Sequence, residues 1–390
     1  MTARHPAILP GATIGIFGGG QLGRMMAMAA RTLGYHVQAL DPDASCAARF
    51  VVDRCITASF DDVTAAESLG RACDVVTLEI EKVSTKSLDA AAKHAPVRPS
   101  SMVLAIIQDR VKQKTWLARH GFPVGPFAVA TSAKQLTAAV TKLGTTCFVK
   151  ASHGGYDGRG QVVVQRADQA AAAFAELGSM PVVAEAALRI RGELSILVAR
   201  RPSGETAVYP PSLNHHEDRI LAHSVMPAPV PKRVAAETGE LAREAAKKLG
   251  LIGLLVVEFF WLEDGSVLVN ELAPRPHNTF HGTEVGCLTS QFEQAVRAVC
   301  DLPLGSTELT RPVAIYNLLG DAWLGGPKKG PFFDRALALP GVRLHLYGKR
   351  EARPGRKMGH LSAVGRTPAE AVARVTAAAD ALCGRTRRSR

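Results

Sequence analysis

The sequence is poor in aromatic residues, and its positive charge is not gathered into one basic surface. Aromatic side chains make up 5% of the 390 residues, and the formal net charge is +12. A protein that binds nucleic acid is expected to cluster its basic residues. Here part of the excess lies in the terminal run GRTRRSR (384–390), which we expect to be a solvated tail. The composition therefore argues against a nucleic-acid partner and favours small anionic ligands.

Paired cysteines and long apolar runs are also missing. The seven cysteines form no C-x-x-C pair and are odd in number, which argues against a disulfide framework or structural zinc and fits reduced thiols in a cytoplasmic protein. The apolar start, Ile8 and Leu9, is too short for a signal peptide. The longest apolar run, around 251–262, is interrupted by Glu258 and cannot span a membrane. We expect a cytoplasmic protein without a membrane partner.

The strongest local signal lies in 254–278, which reads LLVVEFFWLEDGSVLVNELAPRPHN. Asp-Gly between two apolar runs predicts a β-hairpin with a type I′ turn. If Asp264 and Gly265 form the loop, counting outward places Glu258 opposite Glu271. Facing carboxylates on an apolar ribbon are costly unless compensated, and magnesium between them would compensate the charge. The alternative is a solvent-facing pair at a sheet edge.

A first glycine-rich segment, Gly18–Gly23, lies between a predicted strand at 12–17 and a helix that extends to Leu33. Asp41 follows about twenty residues later, as in the dinucleotide-binding fingerprint. An NAD-dependent oxidoreductase is therefore one alternative. The pattern itself indicates only that amides at a helix N-terminus bind an anion, and a phosphate is the favoured anion.

A second glycine-rich segment, 151–160, joins two predicted strands, and the first strand ends by delivering Lys150 into it. Such a loop lets the backbone approach phosphates closely. The GK[ST] sequence of a Walker A loop is missing, which excludes a P-loop NTPase. The alternative is a surface hairpin with a solvated lysine.

Four other segments carry charged or imidazole side chains. A predicted strand at 74–80 would place Glu79 and Glu81 on one face, either against a ligand or in solvent. A single basic amphipathic helix is expected over 101–120. The sequence NHHED at 214–218 is expected in a loop, where an imidazole contacts a nucleotide or is solvated. The basic segment 347–360, taken alone, is typical of a solvated loop.

These features together match the needs of phosphoryl transfer. That reaction depends on positioned cationic donors and magnesium at the phosphates. A lysine entering a glycine-rich loop and a pair of facing carboxylates supply both, whereas a nicotinamide enzyme would need no paired carboxylates. The residues thus favour an enzyme that uses a nucleoside triphosphate.

The chain resembles the ATP-grasp enzymes and, within them, the 5-(carboxyamino)imidazole ribonucleotide synthase family of purine biosynthesis. The resemblance extends from about Ile14 to Ser362. The motifs that carry it are GGGQLGRM (18–25), QDR (108–110), GGYDGRGQ (154–161), NELAPRPHN (270–278), TSQFEQ (289–294) and YGK…RPGRKMGH (347–360). It implies an α/β (α+β) protein with a Rossmann-like domain at 1–108, an ATP-grasp domain with a small lid at 109–308, and a β-rich domain with the basic tail at 309–390.

The resemblance also implies a reaction. ATP phosphorylates bicarbonate to carboxyphosphate, which carboxylates the exocyclic amine of 5-aminoimidazole ribonucleotide and leaves ADP and phosphate. The product would pass to a carboxyaminoimidazole ribonucleotide mutase, and the enzyme would be a homodimer. A related formate-using transformylase of the ATP-grasp group is the nearer alternative.

Site residues follow from the matching motifs. The ATP contacts that the resemblance implies are Arg110, Lys150, Gly155, Tyr156, Asp157, Gly158, Arg159, Gly160, Gln161, Glu185, Glu193 and His216. Magnesium would be bound by Glu258 and Glu271, with Asn270 beside them. The ribonucleotide and carboxyphosphate pocket would contain Gln21, Tyr156, Asp157, Arg159, Arg275, His277, Asn278, Lys349 and Arg356, of which Asp157, Arg159, Arg275, His277, Asn278 and Lys349 would be catalytic. The Gly18–Gly23 loop would bind the ribonucleotide phosphate.

Three positions depart from the family pattern or require a choice. Residues 277–281 read HNTFH where the family has HNSGH, so Phe280 would add bulk beside the pocket and bears on the role of His281. Lys82 stands where the family has asparagine. His215 and His216 could both fill the nucleotide position, and we assign it to His216.

Overall fold

The computed structural model describes residues 7–154, 160–325 and 330–384. None of the helices in this part of the chain has the length and apolar composition needed to cross a bilayer.

The N-terminal region is a parallel four-stranded sheet with flanking helices. The strand order is β3-β2-β1-β4. Strands β1 and β4 are almost wholly buried, as expected for a parallel sheet covered on both faces. The elements are β1 (Thr13–Phe17), α1 (Gln21–Thr32), β2 (His36–Asp41), β3 (Arg54–Thr57), α2 (Val63–Arg71), β4 (Val75–Leu78), α3 (Thr85–Ala92) and α4 (Ser101–Ile107).

Two predictions for this region were wrong. Strand β4 ends at Leu78, so Glu79 and Glu81 lie beyond it. The single helix expected over 101–120 is divided into α4 and α5 (Arg110–Arg119). The division occurs because the carboxylate of Asp109 accepts hydrogen bonds from the amides of Val111 and Lys112 and starts a new helix as its N-cap.

A small antiparallel sheet forms the expected lid. Its strand order is β5-β8-β6-β7, and helices α6 and α7 pack against it through a separate apolar core. The predicted strand–loop–strand unit is confirmed, because β6 pairs with β7 and Lys150 lies opposite Gln161. The elements are β5 (Phe127–Ala130), α6 (Ala133–Leu143), β6 (Cys147–Ala151), β7 (Gln161–Val164), α7 (Ala170–Glu176) and β8 (Val182–Ala186).

The described residues of the rest of the chain form a nine-stranded sheet. Its order is β14-β13-β9-β11-β12-β15-β17-β16, with β10 paired to β9. Its strands are β9 (Ile190–Arg200), β10 (Thr206–Val208), β11 (Ser212–Glu217), β12 (Ile220–Met226), β13 (Gly253–Leu262), β14 (Val267–Ala273), β15 (Val313–Leu319), β16 (Val342–Leu346) and β17 (Lys357–Val364). The helices here are α8 (Lys232–Lys248), α9 (Thr283–Gly286), α10 (Gln291–Val299), α11 (Asp321–Leu324), α12 (Phe333–Leu337) and α13 (Pro368–Leu382).

The C-terminal strands continue this sheet. Strand β15 pairs with β12, with Ala314 opposite Val225. The predicted boundary at 308–309 therefore does not separate two sheets, and the three domain ranges stay predictions.

The NHHED segment was wrongly expected in a loop. Residues 212–217 form strand β11, which pairs with β12 in a hairpin. Asp218 and Arg219 make the turn with positive φ angles of 49° and 67°, as a type I′ turn requires at both central positions.

The largest apolar core joins the first region to the central sheet. Met25 and Met26 of α1 pack with Phe292 and Val296 of α10 in one buried cluster. This packing fixes the glycine-rich Gly18–Gly23 loop beside the segment that follows β14, where the candidate site lies.

Candidate active site

The hairpin of β13 and β14 places Glu258 directly opposite Glu271, as predicted. The predicted two-residue turn was wrong. The loop has three residues, 263–265, closed by a hydrogen bond from the Leu262 amide to the Ser266 carbonyl, and Gly265 has a φ of +86°. A β-bulge at Asn270 then shifts the register by one residue and brings the two carboxylates back into opposition.

Glu258 lies in a group of acidic side chains. Burial, together with the nearby carboxylates of Glu271 and Glu193, raises the pKa of Glu258 to about 8. His277 Nε2 lies 3.3 Å from Glu258 Oε1, and Arg110 Nη1 lies 3.6 Å from Glu271 Oε2. Carboxylate oxygens that cluster and repel one another in this way are suited to bind a hard divalent cation such as magnesium.

A buried ion triad connects the lid to helix α5. Lys150 Nζ lies 2.5 Å from Glu185 Oε2, and Lys114 Nζ lies 2.9 Å from Glu185 Oε1. Burial alone would raise the pKa of Glu185, but the two ammonium groups outweigh it and lower the pKa to about 2. Lys114 also donates to the Asn270 carbonyl at 3.1 Å. Three predicted ATP or metal-site residues, Lys150, Glu185 and Asn270, thus come together around Lys114.

Arg275 is held by acids from the N-terminal region. Its Nε lies 2.7 Å from Glu81 Oε1. Burial opposes its charge, but Glu81, Glu79 and Glu271 outweigh that effect and raise the pKa of Arg275. Glu79 and Glu81 were expected either to contact a ligand or to face solvent. In the structure both lie close to Arg275, a predicted substrate residue.

The glycine-rich Gly18–Gly23 loop is occupied by the protein's own carboxylates. Gly19 donates its amide to Asp41 at 2.7 Å, and Gly20 and Gly23 donate theirs to Glu79 at 2.9 and 3.1 Å. The Gly18 amide donates to the Leu40 carbonyl. The expected phosphate grip on these four amides is therefore wrong for this structure. Asp41, the acid that would contact a ribose in the dinucleotide fingerprint, instead accepts from the loop.

The loop after β14 is fixed from behind. Gln291 accepts from the His277 amide at 2.8 Å and donates to the His277 carbonyl at 2.9 Å. Burial and the charge of Arg275 lower the pKa of His277 well below its ordinary value, so its ring is neutral. Asn278 is buried, and neither polar atom of its side chain has a hydrogen-bond partner among the described residues. A buried amide of this kind is expected to bind a ligand.

The basic segment from the C-terminal region reaches the same place. Lys349 donates to the Lys357 carbonyl at 2.7 Å, and the charge of Lys357 contributes to lowering the pKa of His277. Arg356 donates to the Glu351 carbonyl and lies close enough to Asp43 to lower the pKa of that acid, after the larger effect of Ser45. Gln21 begins α1 and is half-buried.

The two candidate histidines are adjacent on β11, with a β-bulge between them, and have different neighbours. His216 Nδ1 lies 3.3 Å from Glu193 Oε2, whereas His215 stacks on His223 and is half-exposed. Both line a cavity of about 360 Å³ with Glu193. This geometry favours His216 as the neighbour of the acidic group.

The remaining positions singled out in the sequence lie in the core, on the surface, at the end of the lid loop or outside the described residues. Phe280 is fully buried, and its ring meets that of Tyr209 edge-on with 6.3 Å between centroids. Its bulk is therefore taken up in the apolar core and not beside the pocket. Lys82 is exposed. Gly160 lies at the end of the lid loop with a φ of +68°. Five predicted residues lie outside the described residues, namely Gly155, Tyr156, Asp157, Gly158 and Arg159.

Sequence reasoning missed Lys114, Gln291 and Lys357 as site residues. Lys114 could have been found, because it lies one helical turn after Arg110 on α5 and so shares its face. Gln291 and Lys357 lie within or beside recognised motifs, but nothing local indicates that their side chain or charge acts on His277.

Family models match most of the chain. A ribonucleotide synthetase preATP-grasp domain matches residues 11–108, an ATP-grasp domain matches 115–292, and a phosphoribosylaminoimidazole carboxylase C-terminal domain matches 313–374. The fold is accordingly that of an ATP-grasp ligase, and the predicted fold class is confirmed.

Individual relatives identify the family within the ATP-grasp ligases to which the chain belongs. N5-carboxyaminoimidazole ribonucleotide synthase of Brucella melitensis is 42% identical over 364 residues, covering 92% of this chain and 98% of the relative. The enzyme of the same name from Bacillus subtilis is 41% identical and covers 91% and 92%. The chain belongs to the N5-carboxyaminoimidazole ribonucleotide synthase family, as its motifs predicted.

Solved structures of the same family have the same fold as this chain. An ADP complex of an N5-carboxyaminoimidazole ribonucleotide synthetase superposes with a TM-score of 0.90 at 38% identity, covering 96% of this chain and 98% of that one. The Aspergillus clavatus enzyme in complex with ADP and 5-aminoimidazole ribonucleotide superposes with a TM-score of 0.87 at 32% identity, covering 95% and 98%.

Proposed function

We propose that this chain catalyses the ATP- and bicarbonate-dependent carboxylation of 5-aminoimidazole ribonucleotide to 5-(carboxyamino)imidazole ribonucleotide. The observation that carries the proposal is that the ion triad around Glu185 and the pair of facing carboxylates meet at Asn270. Its carbonyl accepts from Lys114 of the buried ion triad, and the next residue, Glu271, faces Glu258. Family membership and the Aspergillus clavatus complex give the substrate.

ATP binds between the lid and the central sheet. Glu185 orients Lys150, which contacts the nucleotide from the end of β6, while Arg110, Glu193 and His216 approach from the other side. Glu258 and Glu271, with Asn270 beside them, would hold magnesium, and the ion would supply positive charge to the transferred phosphoryl group. A bicarbonate oxygen attacks the γ-phosphorus, ADP leaves, and carboxyphosphate remains in the pocket.

The second half of the reaction uses the 275–278 loop. Arg275 pairs with the anionic oxygens, and the buried amide of Asn278 gains the hydrogen-bond partner that it lacks. The exocyclic amine attacks the carboxyl carbon, phosphate leaves, and the departing phosphate accepts the proton released by the amine, while the neutral ring of His277 lines the pocket. Exclusion of water by the closed lid protects carboxyphosphate from hydrolysis.

The decisive assay measures phosphate release from ATP with all combinations of ribonucleotide and bicarbonate. We expect release to require the ribonucleotide and to rise with bicarbonate. Replacing bicarbonate with formate tests the transformylase alternative, and faster release with formate would favour it. Absence of stimulation by the ribonucleotide would overturn the substrate assignment but leave the ATP-grasp class intact.

The NAD alternative has little physical support. A pyrophosphate on the Gly18–Gly23 loop would compete with Asp41 and Glu79 for the loop amides. Titration of NADH fluorescence should show no binding at high micromolar concentrations, and saturable binding would revive this class.

We further propose that the protein is a cytoplasmic homodimer whose product passes to a carboxyaminoimidazole ribonucleotide mutase. Support comes from the family resemblance and from the seven free cysteines. Sedimentation equilibrium of the purified chain tests the dimer, and a monomer at micromolar concentration would contradict it.

A further inference from the structure

A second group of metal-ligating side chains lies at the junction of the central region and the C-terminal strands. Glu284 belongs to the short helix α9, whereas His345 and His360 lie opposite each other on β16 and β17. One ligand atom from each of the three residues lies within 4.8 Å of the other two. His345 Nδ1 is 3.7 Å from Glu284 Oε2. The fold therefore brings one carboxylate and two imidazoles within 4.8 Å of one another.

The register of the two strands explains why the imidazoles meet. Residues directly opposite in an antiparallel pair project on the same face of the sheet. The rings of His345 and His360 accordingly stack nearly parallel, with 5.2 Å between centroids and 14° between planes. Burial lowers the pKa of both rings, so they are neutral and can act as ligands.

A hydrogen bond at His360 fixes the orientation of its ring. The Tyr347 hydroxyl lies 2.9 Å from His360 Nδ1, and both residues are buried. A partner of this kind is typical of metal-bound histidines, whose second nitrogen is held by a protein group.

A third imidazole, that of His281, lies beside this cluster. His281 is completely buried and stacks on His360 with 4.5 Å between centroids. Its Nδ1 lies 3.3 Å from Gln291 Nε2, but its Nε2 has no hydrogen-bond partner among the described residues. An unsatisfied buried nitrogen costs free energy, so this packed group of imidazoles contains a polar atom whose need for a partner the described residues do not meet.

We propose that Glu284, His345 and His360 form a transition-metal site that binds a divalent ion such as Zn²⁺. Two imidazoles and a carboxylate are a set that zinc accepts, with a remaining position for water or for a further ligand. None of the three residues is assigned to ATP, magnesium or the ribonucleotide. A bound ion would link α9 of the central region to β16 and β17, and its role would be to fasten the C-terminal strands against the active-site loop.

The test is direct binding of Zn²⁺ to the purified full-length chain after treatment with a chelator. We expect one equivalent to bind in isothermal titration calorimetry and to raise the thermal midpoint. Substitution of Co²⁺ should give the visible absorption of a nitrogen- and oxygen-ligated ion. Failure of the wild-type chain to bind Zn²⁺ at micromolar concentration would overturn the proposal.

Variants distinguish this site from the magnesium site. Glu284→Gln and His345→Gln should each weaken Zn²⁺ binding by about 100-fold or more, and Glu284→Gln alters a surface side chain that should not impair folding. Glu271→Gln and the exposed His36→Ala should bind Zn²⁺ as the wild type does. If Glu284→Gln and His345→Gln, folded by circular dichroism, keep wild-type affinity, the cluster is not the site.

Discussion

Lys150 Nζ lies 2.5 Å from Glu185 Oε2 on the neighbouring strand of the lid. Glu185 also binds Lys114, which lies outside the lid on α5. One buried carboxylate therefore holds two ammonium groups, one on each side of the nucleotide cleft that we propose. This arrangement makes Glu185 a stabilising residue as well as a predicted ATP contact.

Glu185→Gln is expected to lower the free energy of unfolding by about 3 kcal/mol at neutral pH. The value follows from a fall in pKa from 4.5 to about 2 on folding. Because the folded-state pKa is depressed, the stabilisation is fully present above pH 4.5 and is lost as the pH falls towards 2. Urea unfolding as a function of pH should show the two proteins converging below pH 4.5.

The matched control for that experiment is Glu176→Gln, an exposed acid of the same lid. It should change stability by less than about 0.5 kcal/mol at any pH. Equal effects of the two substitutions would show that the buried triad contributes nothing of its own.

Glu271→Gln should lower kcat by about 100-fold or more, because the magnesium that we propose at this carboxylate would lose a ligand and with it its position at the transferred phosphoryl group. The thermal midpoint should be unchanged or raised, since one repulsion with Glu258 is removed. Steady-state phosphate release and differential scanning fluorimetry measure both quantities.

Glu263→Gln provides the comparison, since it changes an exposed acid in the loop of the same hairpin. It should leave both kcat and the midpoint near wild-type values. Unfolding of Glu271→Gln, with normal activity per folded molecule, would mean that the paired carboxylates are structural.

Glu81→Gln should raise the KM for the ribonucleotide by about tenfold, because Arg275 loses the carboxylate that positions it. The KM for ATP should stay the same. Glu67→Gln is the control, because the carboxylate of Glu67 pairs with Arg71 and His94 in the same N-terminal region and not with Arg275. An equal rise in both KM values would indicate a general loss of structure.

Gly19→Ala should destabilise the protein by about 2 kcal/mol. A Cβ at this position would lie 2.4 Å from Cys46 Sγ and 2.9 Å from Cys46 Cβ, so the loop that holds Asp41 must shift. Gly239→Ala on helix α8, where the nearest atom is 3.9 Å away, should stabilise by up to about 1 kcal/mol. Chemical denaturation of both variants tests the difference, and equal effects would contradict the close-packing argument.

The hairpin shows how sequence reasoning can reach the right pair through the wrong geometry. The Asp-Gly signal placed the turn, and the facing acids Glu258 and Glu271 were predicted correctly. The loop is one residue longer than expected, and the bulge at Asn270 compensates for it. A bulge depends on what the strand packs against, and no local pattern indicates it.

The glycine-rich loop shows the opposite case. The strand–turn–helix context of Gly18–Gly23 was correct. The ligand of its amides was not, because Glu79 lies about sixty residues further along the chain and reaches the loop only when β4 pairs beside β1. The histidines of the proposed metal site show the same dependence, since His281, His345 and His360 have no regular spacing.

The sequence by itself determined the class of protein, the three-part architecture, the lid, and most of the residues that meet at the cleft. The strands, the glycine-rich loops and the facing acids are encoded in local periodicity and turn signals, whereas the three-part architecture, the lid and the remaining site residues were implied by the resemblance of the motifs to a known family. Only the tertiary structure decided which charged side chains pair, namely Lys114 with Glu185 and Arg275 with Glu81, and which carboxylate accepts from the glycine amides, namely Glu79. The physical reason is that charge compensation depends on distances of about 3 Å across separate elements, and such distances arise only when the elements pack.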